Sequence, residues 1–176
     1  LNIVENVRSL LSNHYVNYDV IIINDGSKDD TLEKLITAYN LVKVDYLINN
    51  QIATKPLRKG VFKSTNPAFE KLIVVDKENG GKADALNLGL NISTNKYVAC
   101  IDVDCVLAQD AIIKMIQPFL SGNTPCIATG GVIRIANSCI IEDGRLIDVV
   151  IPDNLLARFQ VLEYIRAFLM GRMCWS

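Results

Sequence analysis

The stretch Asp19–Tyr39, "DVIIINDGSKDDTLEKLITAY", contains a strand pattern, a turn and a helix pattern in immediate succession. Residues 19–23 form a short β-branched run that is typical of a buried strand. Residues 24–27, with the sequence NDGS, have the composition of a tight turn. Asp29 and Asp30 precede apolar residues at helical spacing, an arrangement that is common at helix N-termini. A strand that passes directly into a helix is the repeating unit of α/β domains.

The same alternation of patterns continues on both sides of this stretch. Strands are predicted at residues 42–48, 72–75, 97–101, 127–135 and 140–150, with a hairpin turn at 142–144, and helices at residues 3–11, 80–90, 109–119 and 153–170. The helix at 80–90 is expected to bury Ala83, Leu86 and Leu90. Residues 49–68 are polar and contain two prolines, so we predict a long functional loop there. Together the patterns predict a Rossmann-like α/β domain with a mainly parallel sheet and helices on both faces.

Carboxylates recur where the predicted strands end. Asp25, Asp76 and the pair Asp102 and Asp104 each come directly after one of these strands. Ligands of parallel α/β sheets bind beyond the carboxyl ends of the strands. The acidic residues are therefore predicted to share one edge of the sheet and to form a binding site there.

The segment Asp102-Val103-Asp104 places two carboxylates two positions apart at a predicted strand end. Hard oxygen ligands at this spacing suit Mg²⁺ or Mn²⁺, which keep open positions for substrate phosphates. The alternative is structural: Asp104 caps the next helix and Asp102 is a turn residue. The Asp-x-Asp pattern by itself does not decide between the two.

The pair Gly80-Gly81 opens the predicted helix at 80–90. Two glycines allow a ligand to approach the backbone closely, and a helix N-terminus presents N–H groups and a positive dipole end to an anion. Lys82 adds a positive charge that suits a phosphate. The segment is not a P-loop, because Asp and Ala occupy positions where that motif requires Gly and Ser or Thr. The structural alternative is a turn-forming glycine pair followed by an exposed lysine.

The composition bounds the class of protein. A chain of 176 residues that is half hydrophobic has enough material for a globular core. A net charge of −1 provides no electrostatic attraction for nucleic acid. No apolar run reaches the ~18 residues of a membrane span, and no secretory signal pattern is present.

The cysteines and the histidine give no pattern of a metal or nucleophile site. The cysteines are Cys100, Cys105, Cys126, Cys139 and Cys174. We expect small buried residues in a reducing compartment rather than a disulfide framework or a zinc site. His14 lies in a polar stretch and is expected at the surface.

Three segments together resemble family 2 glycosyltransferases, which have a GT-A fold. They are residues 20–31 (VIIINDGSKDDT), 74–90 (VVDKENGGKADALNLGL) and 98–112 (VACIDVDCVLAQDAI), and their order and spacing are similar to the family pattern. The likeness is strongest to the membrane-bound branch that forms poly-N-acetylglucosamine, hyaluronan and cellulose. The resemblance implies an inverting transfer from a UDP-sugar donor to a hydroxyl group of a glycan acceptor.

The resemblance also implies roles for the matched residues. Those implied in donor binding are Asp25, Gly26, Ser27, Gly80, Gly81, Lys82, Asp84, Asp102 and Val103, and those implied in metal binding are Asp104 and Asp102. Asp25 would hold the uracil or ribose of UDP, and Lys82 and Asp84 would lie along the nucleotide and the donor sugar. Asp104 would ligate Mg²⁺ or Mn²⁺, and Asp102 would contact the ribose or the metal. The ion neutralises the departing diphosphate.

Other parts of the family pattern are expected outside this chain. The family's first strand should precede Leu1, and the catalytic base and the acceptor-binding segment should follow Ser176. No residue is assigned as general base. We therefore expect a single catalytic-core fragment, with a nucleotide-binding part at 1–112 and the start of an acceptor-side part at 113–176, which binds donor without completing transfer.

The resemblance implies a parent protein on the cytoplasmic face of the plasma (or inner) membrane. The helix at 153–170 contains Arg158, Glu163 and Arg166, so we do not expect it to span a membrane. Core packing is its expected role, and an amphipathic helix on a membrane or beneath another part of the protein is the alternative. Exposed apolar surface on a fragment predicts self-association.

Three alternatives to the glycosyltransferase interpretation remain open. Asp102–Val106 also fits the Asp-x-Asp-x-(Thr/Val) segment of haloacid dehalogenase-type phosphohydrolases, with Asp102 as nucleophile and Asp104 as acid/base. That interpretation gives no role to the NDGSKDDT and NGGKADALN segments. A sugar nucleotidyltransferase would share the sheet but carries an early glycine-rich loop that is not seen here. A non-catalytic nucleotide-binding module would bind UDP without transfer.

Overall fold

The computed structural model describes residues 3–122, 125–133, 136, 139–142 and 145–171. The chain divides into two compact units. Unit 1 comprises residues 1–11 and 16–105, and unit 2 comprises residues 12–15 and 106–176.

Unit 1 is built on a four-stranded sheet with helices on both faces. Its elements are α1 (Ile3–Leu11), β1 (Val20–Asp25), α2 (Thr31–Tyr39), β2 (Leu41–Val44), β3 (Leu57–Ser64), β4 (Leu72–Lys77) and α3 (Lys82–Ile92). The strand order is β1-β4-β3-β2. The expected parallel pairing is present between β1 and β4, whereas β3 pairs antiparallel with both β4 and β2. The predicted α/β class is confirmed, and the sheet is mixed.

Strand β3 lies inside the segment that we predicted as a long loop, so that prediction was wrong for residues 57–64. Its sequence, LRKGVFKS, is rich in charge and contains Gly60, which has a φ of +109°. The register with β4 shifts between Leu57 and Gly60, as it does at a β-bulge. Backbone pairing with strands on both sides stabilises β3 despite its weak strand propensity.

The core of unit 1 lies on both faces of β4, which is buried along its whole length. Leu72 and Val74 face a cluster formed with α1 and α2, whereas Ile73 and Val75 face a second cluster that includes residues of α3. This alternation follows from the two-residue period of a strand. It places helices on both sides of the sheet, as the sequence predicts.

Helix α3 buries a different face from the predicted one. Leu88 and Ile92 are 2% exposed, whereas Leu86 and Leu90 are 36% and 42% exposed, and Ala83 is exposed as well. Both sets of residues have helical spacing, so periodicity did not discriminate between them. Packing of Leu88 and Ile92 against Ile73 and Val75 of the sheet selects the buried face.

The predicted strand at 97–101 is not formed. These residues have no regular secondary structure, and Tyr97, Val98 and Cys100 are exposed. A strand requires a hydrogen-bonded neighbour, and within the described residues β1 forms the edge of the sheet without a partner on that side. Asp102 and Asp104 therefore follow an irregular segment. The strand predicted at 42–48 is shorter than expected and ends at Val44.

Unit 2 contains α4 (Ala111–Ser121), β5 (Ile140–Glu142), β6 (Arg145–Asp148) and α5 (Leu155–Gly171). Strands β5 and β6 pair antiparallel as predicted, and the turn residues Asp143 and Gly144 lie outside the described residues. Residues 127–133 form no regular strand, contrary to prediction, and 134 and 135 lie outside the described residues. Helix α4 contains Pro118 and ends at Ser121, two residues beyond the predicted end at 119.

Helix α5 confirms the predicted helix near the C-terminus. In the part of the chain that the structure describes, no helix is long and apolar enough to cross a membrane.

The cysteines differ partly from the prediction. Cys100 is exposed, and Cys105, Cys126 and Cys139 are half-buried, so the expectation of burial was wrong for Cys100. All four are free thiols, and Cys174 lies outside the described residues. His14 is exposed, as predicted.

Candidate functional site

The parallel pair β1 and β4 brings four polar residues together at its carboxyl end. The register places Asn24 opposite Asp76 and Asp25 opposite Lys77. The loops that follow the two strands therefore start side by side. This is the edge of the sheet at which the sequence predicted a ligand site.

Lys77 is completely buried at this edge. Its Nζ atom lies 2.6 Å from Asp25 Oδ1, 2.6 Å from Asp84 Oδ2 and 2.6 Å from the carbonyl oxygen of Glu78. These acceptors belong to β1, to α3 and to the loop between β4 and α3. Lys77 was not singled out in the sequence, because it continues a strand whose other residues are mostly apolar.

The charges in this cluster stabilise one another. Burial alone would lower the pKa of Lys77, but hydrogen bonds and charges from Asp25 and Asp84 outweigh it and raise the pKa. Burial alone would raise the pKa of Asp25, but Lys77 and two backbone N–H groups lower it. The hydrogen bond from Lys77 also lowers the pKa of Asp84. All three groups are therefore charged at neutral pH.

Asp25 also holds the glycine pair in place. Its two oxygens accept hydrogen bonds from the backbone N–H groups of Gly80 at 2.9 Å and Gly81 at 2.8 Å. The Asn79 side chain donates to the carbonyl oxygen of Asp25 at 2.9 Å. The Asp25 carboxylate thus accepts three hydrogen bonds, from Gly80, Gly81 and Lys77. A carboxylate accepts up to about four, so it has capacity for one more from a ligand.

The two predicted turns pack directly against each other at Gly26. Gly26 has a φ of +73°, and a Cβ atom there would lie 2.8 Å from the backbone nitrogen of Asn79. Glycine is required by both the backbone conformation and the close approach. The NDGS turn and the ENGG turn thus form one compact structure.

Lys82 is the first residue of α3, and its ammonium group forms an ion pair with Asp102. This hydrogen bond, followed by the charge of Asp102, raises the pKa of Lys82. The two side chains are 70% and 57% exposed, so both are accessible to a ligand. The predicted glycine-rich segment and the predicted Asp-x-Asp segment are therefore adjacent in unit 1.

The rest of the Asp-x-Asp segment is also exposed. Asp104 is exposed, and its Oδ1 lies 3.8 Å from the Cys105 thiol. Val103 is exposed, and its carbonyl oxygen accepts a hydrogen bond from the Asn6 side chain. Burial, followed by the charges of Asp104 and Asp102, raises the pKa of the Cys105 thiol, which disfavours a reactive thiolate.

Asp76 was predicted to contribute to the ligand site at the acidic edge, and this prediction was wrong. Asp76 is fully buried and cannot contact a ligand directly. Its oxygens accept a bidentate pair of hydrogen bonds from Arg58, at 2.8 and 2.9 Å. They also accept from the Asn24 side chain at 2.6 Å and from the Lys59 backbone at 3.1 Å. Arg58 was missed because it lies in the unpredicted strand β3. Its guanidinium also donates to the Ser27 carbonyl oxygen at 3.3 Å.

The carboxylates of the site fit a divalent ion that is coordinated partly by the protein and partly by a substrate. Asp102 and Asp104 are exposed carboxylates at the spacing expected for a hard cation. Among the described residues, no group of three or more His, Cys, Asp or Glu side chains forms a complete metal cage. Mg²⁺ is usually held by one or two carboxylates together with substrate phosphates, so two carboxylates suffice.

The sequence matches the family described as Glycosyl transferase family 2 over residues 1–69 and 66–146. The poly-beta-1,6-N-acetyl-D-glucosamine synthase of Staphylococcus epidermidis is 31% identical over 161 residues, which cover 91% of this chain and 29% of that protein. The synthase of the same name from Staphylococcus aureus (strain COL) is 33% identical over 165 residues, covering 91% and 30%. No solved structure matches the chain.

This chain belongs to glycosyl transferase family 2. It spans about three tenths of the length of these curated relatives. The family confirms the resemblance inferred from the three segments. It also disfavours the phosphohydrolase alternative, which gives no role to the NDGSKDDT and NGGKADALN segments.

Proposed function

We propose that this chain is the donor-binding core of an inverting glycosyltransferase that extends a glycan from a UDP-sugar. The ion pair between Lys82 and Asp102 carries the proposal. It joins a helix N-terminus, which favours phosphate, to a carboxylate pair, which favours a divalent cation. A nucleoside diphosphate with its counter-ion requires both features at one site.

Each part of the site has a separate task in this proposal. The N–H groups at the start of α3 and the Lys82 ammonium bind the diphosphate. Asp25 accepts one further hydrogen bond, from the ribose or uracil of the donor. Asp102 and Asp104 would hold Mg²⁺ or Mn²⁺, which neutralises the negative charge of the departing diphosphate.

The ion pair also places a condition on binding. Lys82 and Asp102 satisfy each other in this structure. When a diphosphate and a cation are bound, Lys82 has phosphate oxygens as acceptors and Asp102 has the cation as a partner. Exposed ion pairs contribute little to stability, so this exchange costs little.

The relatives favour a particular sugar and a particular product. Both are described as synthases of poly-beta-1,6-N-acetyl-D-glucosamine. We therefore propose UDP-N-acetylglucosamine as the donor and a growing polysaccharide as the acceptor. The whole protein would act at the cytoplasmic face of a membrane, as its resemblance to the membrane-bound branch implies.

Calorimetric titration of this chain with UDP, in the presence and absence of Mn²⁺, tests the proposal. ADP and GDP serve as nucleotide controls, and UDP-glucose compared with UDP-N-acetylglucosamine tests the sugar. We expect metal-dependent binding that is selective for uridine. Asp104→Ala should abolish the effect of the metal, because one of two carboxylate ligands is removed.

Asp45→Ala is the matched control, because Asp45 is an exposed aspartate elsewhere in unit 1. It should leave UDP binding unchanged. Equal binding of UDP, ADP and GDP, or no binding by a folded sample, would count against a UDP-sugar site. UDP binding without transfer when an acceptor is supplied would support the donor-binding core.

A further inference from the structure

Lys77 is a fully buried charged group at the site, and it has no role in the proposed function. An ammonium group has three N–H donors, and Lys77 has three acceptors at 2.6 Å, each from a different segment. Its partners come from β1, from the loop after β4 and from α3. One side chain therefore connects three of the segments around the glycine pair.

The two carboxylates that bind Lys77 also determine where the glycine pair lies. Asp25 accepts the N–H groups of both glycines. Asp84 packs against Gly80 so closely that a Cβ atom there would lie 2.6 Å from Asp84 Oδ2. Asp84 also accepts a hydrogen bond from the Lys55 backbone at 3.1 Å. Without the ammonium group, two neighbouring carboxylates would repel each other at the base of this loop.

Stability alone does not account for this arrangement. A buried ion cluster pays a large desolvation cost, and apolar residues of similar volume often replace such clusters with no loss of stability. The cluster does something that apolar packing does not, because it sets the positions of hydrogen-bonding groups. Here those groups are the backbone N–H groups that lead into Lys82.

We propose that Lys77 is a positioning residue for the donor diphosphate. It holds Asp25 and Asp84 so that the glycine pair directs the N-terminus of α3 and Lys82 toward the diphosphate. This inference rests on the proposed function, because it assigns the loop to that ligand. It predicts that substitution of Lys77 weakens the binding of UDP more than the binding of uridine, which has no phosphate.

Lys77→Met tests the inference, because methionine keeps a long unbranched side chain and removes the charge. Amide hydrogen exchange reports on the loop directly, and titrations with UDP and with uridine report on binding. We expect exchange at Gly80 and Gly81 to accelerate about tenfold or more while the amides of β1 and α2 keep their protection. UDP should bind about tenfold more weakly, as expected for the loss of a charge-assisted hydrogen bond, with a smaller change for uridine.

Lys59→Met is the matched control. It makes the same chemical change on β3, where Lys59 pairs with Glu33 and both side chains are about half exposed. Neither loop exchange nor UDP affinity should change. If Lys77→Met fails to fold, Lys77→Met combined with Asp84→Ala removes one charge of each sign and is compared with Asp84→Ala alone.

The outcomes separate the two proposals. Unchanged exchange at Gly80 and Gly81 in folded Lys77→Met, with wild-type UDP affinity, overturns the role of Lys77 and leaves the donor site standing. Equal losses for UDP and uridine also overturn it, because they indicate a general structural effect. Absence of UDP binding by the unsubstituted chain overturns the proposed function and the donor role of Lys77 with it.

Discussion

The buried and half-buried carboxylates at the ends of β1 and β4 have cationic partners that are distant in sequence. Asp76 pairs with Arg58, and Asp25 pairs with Lys77. Burying a carboxylate is costly unless hydrogen bonds and an opposite charge compensate it. The protein thus neutralises this part of the acidic edge itself. Asp102 and Asp104, in contrast, stay exposed for a ligand.

Asp76 makes stability depend on pH in the acid range. Burial alone would raise its pKa, but hydrogen bonds from Arg58 and Asn24 outweigh burial and lower the pKa below its ordinary value of 3.8. A lowered pKa contributes stability that is present above 3.8 and is lost as the pH falls through the folded-state pKa. Urea unfolding between pH 7 and pH 2 should therefore show decreasing stability below about pH 4.

Asp76→Asn should lower stability at pH 7 and reduce its decrease between pH 4 and pH 2, because the group no longer titrates. Asp45→Asn makes the same chemical change at an exposed position and is the control, with a smaller loss of stability at pH 7 expected. Identical pH profiles for Asp76→Asn and the unsubstituted chain would contradict the assignment of this dependence to Asp76.

Gly26 is predicted to be intolerant of any side chain. Gly26→Ala should lower the free energy of unfolding by about 2 kcal/mol or more, because the left-handed conformation alone costs an L-residue about 1–2 kcal/mol. The added Cβ would also collide with the Asn79 backbone at 2.8 Å. Thermal and urea unfolding measure the loss.

Gly89→Ala is the matched control for this substitution. Gly89 lies within α3, and a Cβ atom there would have no neighbour within 4 Å apart from the adjacent backbone of the helix. This substitution should stabilise the protein by roughly 0.5–1 kcal/mol, because glycine is unfavourable in helix interiors. Similar effects of the two substitutions would show that the packing at Gly26 has been misassigned.

At the scale of elements, contacts with neighbouring strands and helices determine which residues are buried and which segments form strands, where the sequence pattern does not. Helix α3 has two sets of apolar residues at helical spacing, and the sheet selects the one that includes Leu88 and Ile92. Strand β3 forms between β2 and β4 although its sequence is polar. Pairing and packing energies exceed the small propensity differences that a sequence pattern reports.

Two leucines of α3 test which face is buried. Leu88→Ala should lower the free energy of unfolding by about 2–5 kcal/mol, the range for buried leucines. Leu86→Ala makes the same change at a side chain that is 36% exposed and should cost less than about 1 kcal/mol. Chemical denaturation of both variants gives the comparison. A larger loss at Leu86 would restore the face that the sequence predicted.

At the scale of the whole molecule, the two units differ in how completely they cover their apolar residues. Unit 1 has core clusters on both faces of its sheet. In unit 2, large apolar side chains along α5 are exposed, among them Leu156, Phe159 and Leu162. Contiguous apolar surface of this kind promotes association.

We therefore expect the isolated chain to self-associate in a concentration-dependent way. Phe159→Glu should shift the equilibrium toward the monomer, because it places a charge on the apolar surface of α5. Sedimentation velocity at several protein concentrations measures the shift. Gln160→Glu adds the same charge at an adjacent exposed position and should have a smaller effect. A monomer at all concentrations would contradict the expectation.

The sequence by itself determined the family, the α/β class and the order of the site segments. Strands β1 and β4, helix α2 and the start of α3 were predicted correctly, because each depends on residues that are close together in the chain. Apolar runs report burial, and turn residues report their own backbone conformations. The identities of Lys82, Asp102 and Asp104 as candidate ligand-binding residues were available on the same basis.

Only the tertiary structure decided how the charges are paired and which surfaces are buried. Arg58 meets Asp76 across 18 positions, and Lys77 meets Asp25 across 52. A strand forms only where a neighbouring strand pairs with it. Strand β3 has such neighbours in β2 and β4, whereas the predicted strand at 97–101 pairs with none among the described residues. Such partners are set by the path of the whole chain, and a local pattern carries no information about them.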